Sequence, residues 1–295
     1  VTEGSLEEYG DTVDAALDVP VTEESRPQEV QLIHINDMLN FKYKMDHGKR
    51  GLFVIFNQKE FKNRSTTLQI RHGTDIDAKS LKQTAELLGF KVETHQDLER
   101  KQIIDKLWDY ADQDHSDHDC FACAILTHGG RDDVLYAADD KMELSDFTEP
   151  FQADKCISLA GKPKVYFVQA CRGVQLDQGQ EISVSGASAE TTDALNTSTQ
   201  KFTIPVEADF LIAQATAPEY YAWRNERTGS IFIQRLCSVL KEYGHELDLH
   251  TLLTRVNGMV AFNFESWCTD EDMRHKKQIP TFTSRLTYDL YFPKP

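Results

Sequence analysis

Two side chains able to act as a nucleophile and a base directly follow two apolar runs of the sequence. Cys171 lies in the segment QACRG (169–173), at the end of one run, and His128 lies in THGG (127–130), at the end of another. Ligands of open α/β sheets bind outside the carboxyl ends of the strands. If the two strands are neighbours, Cys171 and His128 therefore point into one crevice.

This pair of residue types is suited to covalent acyl transfer. A nearby imidazolium or oriented backbone amides raise the thiolate fraction of a cysteine, and His128 can then protonate the departing amine. Gly129 lets a substrate carbonyl come close, so its amide and that of Cys171 are predicted to form an oxyanion hole, in which one donor contributes about 100-fold to 1000-fold in rate. Taken singly, a strand-end cysteine or histidine is more often a structural residue.

Composition limits the classes of protein to which the chain can belong. Its 295 residues, 40% of them hydrophobic, can bury one substantial core or two modest ones. The net charge of −16 disfavours nucleic-acid binding, and the sequence has neither an apolar run of 18 residues nor a basic, apolar leader. Six cysteines are too few for a disulfide framework. We expect a soluble, cytoplasmic protein without nucleic-acid or membrane partners.

Short apolar runs that alternate with helical patterns must position the two residues. Helices are predicted over 75–88, 97–111, 230–243 and 248–262, and strands over 51–57, 90–95, 120–126, 165–170, 209–217 and 279–292. In the last strand, alternate apolar residues share one face. The pattern predicts an α/β three-layer sandwich, in which helices cover both faces of a six-stranded, mostly parallel sheet.

Two segments have little to bury. Residues 1–28 carry eight acidic side chains and one basic one, which predicts a disordered acidic N-terminal segment. Residues 175–201 are rich in Gln, Ser, Thr, Gly and Ala, which predicts a mobile linker.

Neither of two candidate metal motifs is convincing, and we predict no metal or cofactor. Cys120 and Cys123 match C-x-x-C, but residues three apart in a strand point to opposite faces, so both are predicted to be core thiols. The segment DQDHSDHD (112–119) lacks the glycine and the terminal glutamate of a calcium-binding hand, so it is interpreted as a solvated turn.

From about His47 to Phe292 the sequence resembles the caspases, most closely the executioner branch. The signature Q-A-C-[RQG]-G stands at 169–173, with His128 placed 43 residues upstream of Cys171. Other matching segments occur in the expected order: RHGTDID (71–77), AWRN (222–225), RVN (255–257) and KKQIP (276–280). Several separate motifs in this order make a chance agreement very improbable.

The resemblance implies a cysteine endopeptidase that acts in apoptosis and cuts after aspartate. Arg71, Gln169 and Arg224 would hold the substrate's aspartate, since two guanidiniums offer a carboxylate bidentate geometry. The outer subsites would be formed by Tyr221, Trp223, Asn225, Ile231 and Trp267. Executioner caspases usually carry tryptophan at the position of Ile231, so we expect a roomier outermost pocket.

The resemblance also implies a zymogen cut at aspartates. Asp193 is predicted as the cut between a large-subunit region (29–193) and a small-subunit region (194–295), and Asp14 as the cut that releases the acidic tail, with Asp177 and Asp18 as rival sites. Expected partners are protein substrates, a second copy of the large and small subunit pair in a homodimer, and inhibitor-of-apoptosis proteins.

The sequence disfavours two rival functions. A catalytically silent relative that binds other caspases is disfavoured by the presence of both His128 and Cys171. A related protease that prefers basic residues is disfavoured because Arg71 and Arg224 would repel lysine or arginine.

Overall fold

The computed structural model describes residues 41–62, 68–179 and 204–294. The acidic segment 1–28, most of the predicted linker, and the predicted processing sites Asp14 and Asp193 lie outside the described residues.

The described elements follow one another in an alternation of strands and helices. The strands are β1 (Leu52–Asn57), β2 (Lys91–Gln96), β3 (Phe121–Leu126), β4 (Val134–Tyr136), β5 (Lys141–Glu143), β6 (Lys164–Gln169), β7 (Gly173–Gln175), β8 (Phe210–Gln214), β9 (Glu219–Tyr220), β10 (Arg224–Asn225), β11 (Gly229–Ser230) and β12 (Thr281–Ser284). The α-helices are α1 (Thr74–Leu87), α2 (Arg100–Ala111), α3 (Leu144–Thr148), α4 (Ile231–Tyr243) and α5 (Leu249–Asn263). None of these helices is long and apolar enough to cross a bilayer.

Six strands form the central sheet in the order β12-β8-β6-β3-β1-β2. All neighbouring pairs are parallel except β12 with β8, which is antiparallel. The prediction of a six-stranded, mostly parallel sheet is therefore confirmed. The order places β3 beside β6, so the strands that precede His128 and Cys171 are neighbours.

Each face of the sheet covers its own hydrophobic core. Along β1, Phe53 and Ile55 enter one core, whereas Val54 and Phe56 enter the other, as the two-residue period of a strand requires. Helices α1, α4 and α5 pack on the first face, and α2 and α3 on the second. Full burial of one such side chain contributes roughly 1.5–3 kcal/mol, so the two cores hold the sheet rigidly.

The first helix ends and begins at glycines. Its residues Leu81 and Ala85 are buried on one stripe, and the chain leaves the helix through Gly89, whose φ of 90° lies in the left-handed region that favours glycine. Gly73, at φ 85°, precedes the helix, and a Cβ there would overlap the backbone of Asn225. This glycine lets the segment 71–77 pack closely against β10.

The last predicted strand is much shorter than expected. Alternation predicted a strand over 279–292, but β12 covers only Thr281–Ser284. The backbone of Arg285 still exchanges hydrogen bonds with residues 209 and 210 (2.8 and 2.7 Å), but further on the chain leaves the sheet, and the backbone of Asp289 exchanges hydrogen bonds with residues 41 and 43 (2.7 and 3.0 Å). Leu290 and Phe292 are still buried in the first core, so their alternation reflects burial without a ladder.

The two motifs set aside as metal sites are structural. Cys120 belongs to the first core and Cys123 to the second, which confirms that they are core thiols on opposite faces. Most residues of the segment 112–119 are exposed, as predicted for a solvated turn, but His115 and Asp119 anchor it at 0% and 3% exposure. The Nζ of Lys162 donates hydrogen bonds to three carbonyls of this segment and so fixes its shape.

Candidate active site

The ends of β3 and β6 bring the two catalytic candidates to one edge of the sheet. Leu126 pairs with Gln169, and the amide of Thr127 donates to the carbonyl of Gln169 (3.1 Å). Gly129 then lies so close to Cys171 that a Cβ at 129 would overlap the Cys171 carbonyl oxygen. The segments that carry His128 and Cys171 are thus packed directly against each other.

The imidazole of His128 is fixed by two groups that the sequence did not reveal. Its Nε2 lies 2.8 Å from the carbonyl oxygen of Gln69, and its ring packs on Phe61 with centroids 4.9 Å apart. Because a carbonyl oxygen only accepts, Nε2 carries the proton and Nδ1 keeps its lone pair. Burial, together with the positive charges of Arg71 and Arg224, lowers the pKa of His128 to about 4.

The thiol of Cys171 contacts the backbone of Ala222. The amide of Ala222 donates to Sγ (3.4 Å), and the thiol faces the Ala222 carbonyl at 3.7 Å. Burial raises the pKa of Cys171, although the Ala222 amide and the charges of Arg71 and Arg224 oppose that shift. Both shifts favour a neutral thiol and a neutral imidazole, and of the two thiolate-stabilising groups that the sequence suggested, an imidazolium or a backbone amide, the structure places an amide at Sγ.

Arg71 is a buried cation directly before α1. Its side chain is 2% exposed, and Nη1 donates to the carbonyl of Gln58 (2.9 Å) and to Oγ1 of Thr74 (2.8 Å). Burial, followed by repulsion from Arg224, lowers its pKa to about 9, so the group stays charged at neutral pH. An anion that enters beside it would relieve that repulsion.

Arg224 and Gln169 complete the three residues predicted for the aspartate pocket, called the inner pocket below. Arg224 opens β10, is half-buried, and donates to the carbonyl of His72. Gln169 ends β6 and is 2% exposed, and its Oε1 has no hydrogen-bond partner among the described residues. An unpaired buried polar atom calls for an explanation, and a substrate-binding site is where such an atom is expected.

A buried carboxylate that sequence reasoning missed links the inner pocket to the small-subunit region. Asp77, on α1, accepts hydrogen bonds from the amide and hydroxyl of Ser230 and from Nε2 of Gln234, all at 2.6–3.0 Å. Its negative charge raises the pKa values of Arg71 and Arg224, which opposes their desolvation. The second aspartate of RHGTDID, one helical turn after the first helical residue, is the signal that could have indicated it.

The buried side-chain amide of Gln278 holds the chain that follows β9 close to the segment that carries Cys171. Gln278, 2% exposed, accepts from the amide of Trp223 (2.8 Å) and donates to the carbonyl of Ala215 (2.6 Å). The amide of Tyr221 donates to the carbonyl of Gln175 (3.1 Å). The predicted subsite residues Tyr221 and Trp223 therefore lie next to Cys171 through backbone contacts.

A cavity of about 500 Å³ brings together four of the predicted outer-subsite residues. It is lined by Trp223, Asn225, Ile231 and Trp267, among others, and is called the outer pocket below. Trp267 is 79% exposed and does not fold over Ile231 to narrow the opening.

Comparison with known proteins identifies the family. The caspase domain matches residues 50–291, which is most of the chain. The chain belongs to the caspase family. Caspase-3 of Mesocricetus auratus is 45% identical over 86% of this chain and 88% of its own length, and caspase-7 of Gallus gallus is 44% identical over 85% and 80%. The crystal structure of caspase-1 from Spodoptera frugiperda superimposes with a TM-score of 0.78 at 42% identity, covering 86% of this chain and 93% of that one.

These relatives confirm the predicted activity class. This caspase is an aspartate-specific cysteine endopeptidase of the executioner type, and it acts in apoptosis. The alternative of a catalytically silent interaction module has no support among them. The α/β fold with a mixed six-stranded sheet is likewise that of the family.

Proposed function

We propose that Cys171 is the nucleophile and His128 the acid and base of this protease. The carrying observation is that both stand at the carboxyl ends of the adjacent strands β3 and β6, within the field of two guanidiniums. The carbonyl of Gln69 orients the imidazole through its Nε2 proton. Arg71, Gln169 and Arg224 bind the aspartate that precedes the cut bond.

The neutral pair dictates how the proton moves. As Cys171 Sγ attacks the main-chain carbonyl carbon of the substrate's aspartate, Nδ1 of His128 accepts the thiol proton, and the carbonyl electrons move onto oxygen. The amides of Gly129 and Cys171 stabilise that oxyanion. Collapse breaks the C–N bond, and His128 passes its proton to the departing amine. Water, deprotonated by His128, then hydrolyses the thioester and restores the thiol.

Labelling with a thiol-reactive peptide tests this assignment. A peptide that ends in aspartate and carries an electrophile should add once per chain and should label Cys171. The same reagent with asparagine in place of aspartate should react far more slowly, because the two guanidiniums lack their anion. Exclusive labelling of another cysteine, such as the half-buried Cys268, would move the nucleophile elsewhere.

Processing at Asp193 and Asp14 is proposed to mature the enzyme. The rival site Asp177 is described, and its backbone pairs with Lys277 (2.9 Å), which opposes entry into another protease cleft. The rival Asp18, like Asp14 and Asp193, lies outside the described residues. Intact-mass measurement of active protein should show fragments that begin at Ala15 and Ala194; fragments beginning at neither would contradict the assignment.

Assembly and location are proposed from the same resemblance. The strand β12 forms one edge of the sheet, and pairing of this edge with that of a second copy would produce a homodimer of large and small subunit pairs. Sedimentation of the processed protein should give twice the mass of one pair. Cytoplasmic location and binding of inhibitor-of-apoptosis proteins complete the proposal, and imaging and pull-down respectively test them.

A further inference from the structure

An arginine that belongs to none of the predicted subsites lines the outer pocket. Arg235 lies on α4, four residues after Ile231, so both side chains emerge on the same helix face. Both border the cavity of about 500 Å³, which Trp267 also lines. The family resemblance assigns this cavity to the outermost substrate residue, the fourth before the cut.

The guanidinium of Arg235 has no partner among the described residues. Its Nε is buried without a hydrogen bond, and the side chain forms no ion pair there. Arg235 as a whole is half-buried, whereas two fully buried cations have partners: Arg50 pairs with Asp119 at 2.9 Å, and Lys162 donates to three carbonyls. A buried donor of a charged group that stays unpaired is costly, so its persistence here indicates a ligand.

The other charged groups that line the cavity are engaged, and so is the side-chain oxygen of Asn225. The carboxylate of Glu265 lies 2.5 Å from Nδ1 of His275, and Arg224 donates to the carbonyl of His72. Oδ1 of Asn225 accepts from the amides of Arg227 and Thr228 (2.8 and 3.1 Å). Among the charged groups that line the cavity in the described chain, Arg235 alone lacks a partner.

We propose that Arg235 determines specificity by pairing with a carboxylate on the substrate residue in the outer pocket. A guanidinium offers a carboxylate two parallel hydrogen bonds, and such charge-assisted bonds are stronger than neutral ones. Ile231 leaves the pocket wide enough for a side chain to reach the helix face, and Arg235 supplies the charge it meets. The inference rests on the proposed function of the pocket, and it names a preference for Asp or Glu there.

Two peptides that differ only by a carboxylate in place of an amide test the proposal. Both end in aspartate before the cut, and the fourth residue before the cut is Asp in one and Asn in the other. For the unmodified enzyme, kcat/KM should favour the Asp peptide by about tenfold or more, as expected for a charge-assisted bond. In Arg235→Met the ratio should fall to near one, and in Arg235→Lys it should be intermediate. Added salt should reduce the ratio in the unmodified enzyme and not in Arg235→Met.

Arg255→Met is the matched control, because it also removes one positive charge. Arg255 is exposed, lies on α5 and stacks on Tyr243, and it does not line the outer pocket. The control variant should leave the Asp-to-Asn ratio unchanged. Arg235→Gln provides a second uncharged variant if Arg235→Met folds poorly. An unchanged ratio in both uncharged variants, or an equal loss on both peptides, would overturn the proposal. Failure of the unmodified enzyme to cut either peptide would instead contradict the proposed function itself.

Discussion

The inner and outer pockets of this caspase differ in how firmly their groups are held. In the inner pocket, Arg71 is 2% exposed and its guanidinium is fixed by Gln58 and Thr74, with Asp77 compensating its charge from α1. In the outer pocket, Trp267 is 79% exposed and Arg235 has no described partner. A rigid, desolvated site rejects a wrong substrate strongly, whereas an open one only grades its preferences.

The first prediction concerns the proposed nucleophile, Cys171. Cys171→Ala should lower hydrolysis after aspartate at least about 1000-fold while leaving the fold intact, because only the thiol is replaced. Cys268→Ala, which removes a thiol outside the inner pocket, is the control and should keep full turnover. Measured kcat and melting temperatures separate chemistry from folding; turnover in Cys171→Ala above about one part in a thousand would contradict the assignment.

The second prediction tests the rigidity of the inner pocket. Arg71→Lys keeps the positive charge but loses the planar guanidinium that would form two parallel hydrogen bonds to the substrate's carboxylate. Breaking a buried ion pair costs about 3–5 kcal/mol. We expect kcat/KM for cleavage after aspartate to fall on the order of 100-fold or more. Arg50→Lys changes a buried arginine that is paired with Asp119, so it should cost stability with little effect on kcat/KM. Equal kinetic losses in the two variants would show that the fork does not select aspartate.

The third prediction is a pH profile that follows from the burial of the inner site. The pKa of His128 is lowered to about 4, and the neutral imidazole is the form that accepts the thiol proton. Activity should therefore persist at pH 5.5 and fall only as the pH approaches about 4. A histidine with the ordinary value of about 6.5 would already have lost roughly tenfold at pH 5.5. The NMR titration of His128, read beside kcat/KM, checks this, and a midpoint near 6.5 in both would refute it.

The smallest expected effect belongs to the outer pocket. Ile231→Trp should narrow the cavity and raise the preference for Asp over Val at the fourth residue before the cut by up to roughly tenfold, because Ile231 lets Val bury apolar surface at about 25 cal/mol per Å². The quantity to compare is the ratio of kcat/KM values on the two peptides. Identical ratios in the two proteins would mean that Ile231 does not set this selectivity.

What the sequence revealed depended on how local each signal was. The buried runs of β1, β3 and β6 were recognisable because strands covered on both faces are continuously apolar. The stretch 286–292 was wrongly predicted as strand, because its alternation comes from packing in the first core and not from a ladder.

In the candidate site, too, residues in short motifs could be predicted and tertiary contacts could not. Cys171, His128 and the two arginines stand in short motifs, so their types and spacing were visible in the sequence. The carbonyl of Gln69 acts through backbone, and any residue type carries one. Gln278 stood inside the matching segment KKQIP, and Arg235 stands one helical turn after Ile231, but only the fold shows that their side chains reach the site.

The pairing of β6 with β8 has a consequence for how the cleaved enzyme refolds. Five register pairs, from Lys164 with Phe210 to Val168 with Gln214, join strands that lie on opposite sides of the proposed cut at Asp193. Once the chain is severed, this ladder and the Asp77–Ser230 bonds replace a covalent tether, and Cys171 and Arg224 reside on different polypeptides. Refolding of one protomer from denaturant then becomes a bimolecular encounter: the uncut chain should regain its secondary structure at a rate independent of dilution, and the cut chain should regain it more slowly the more it is diluted.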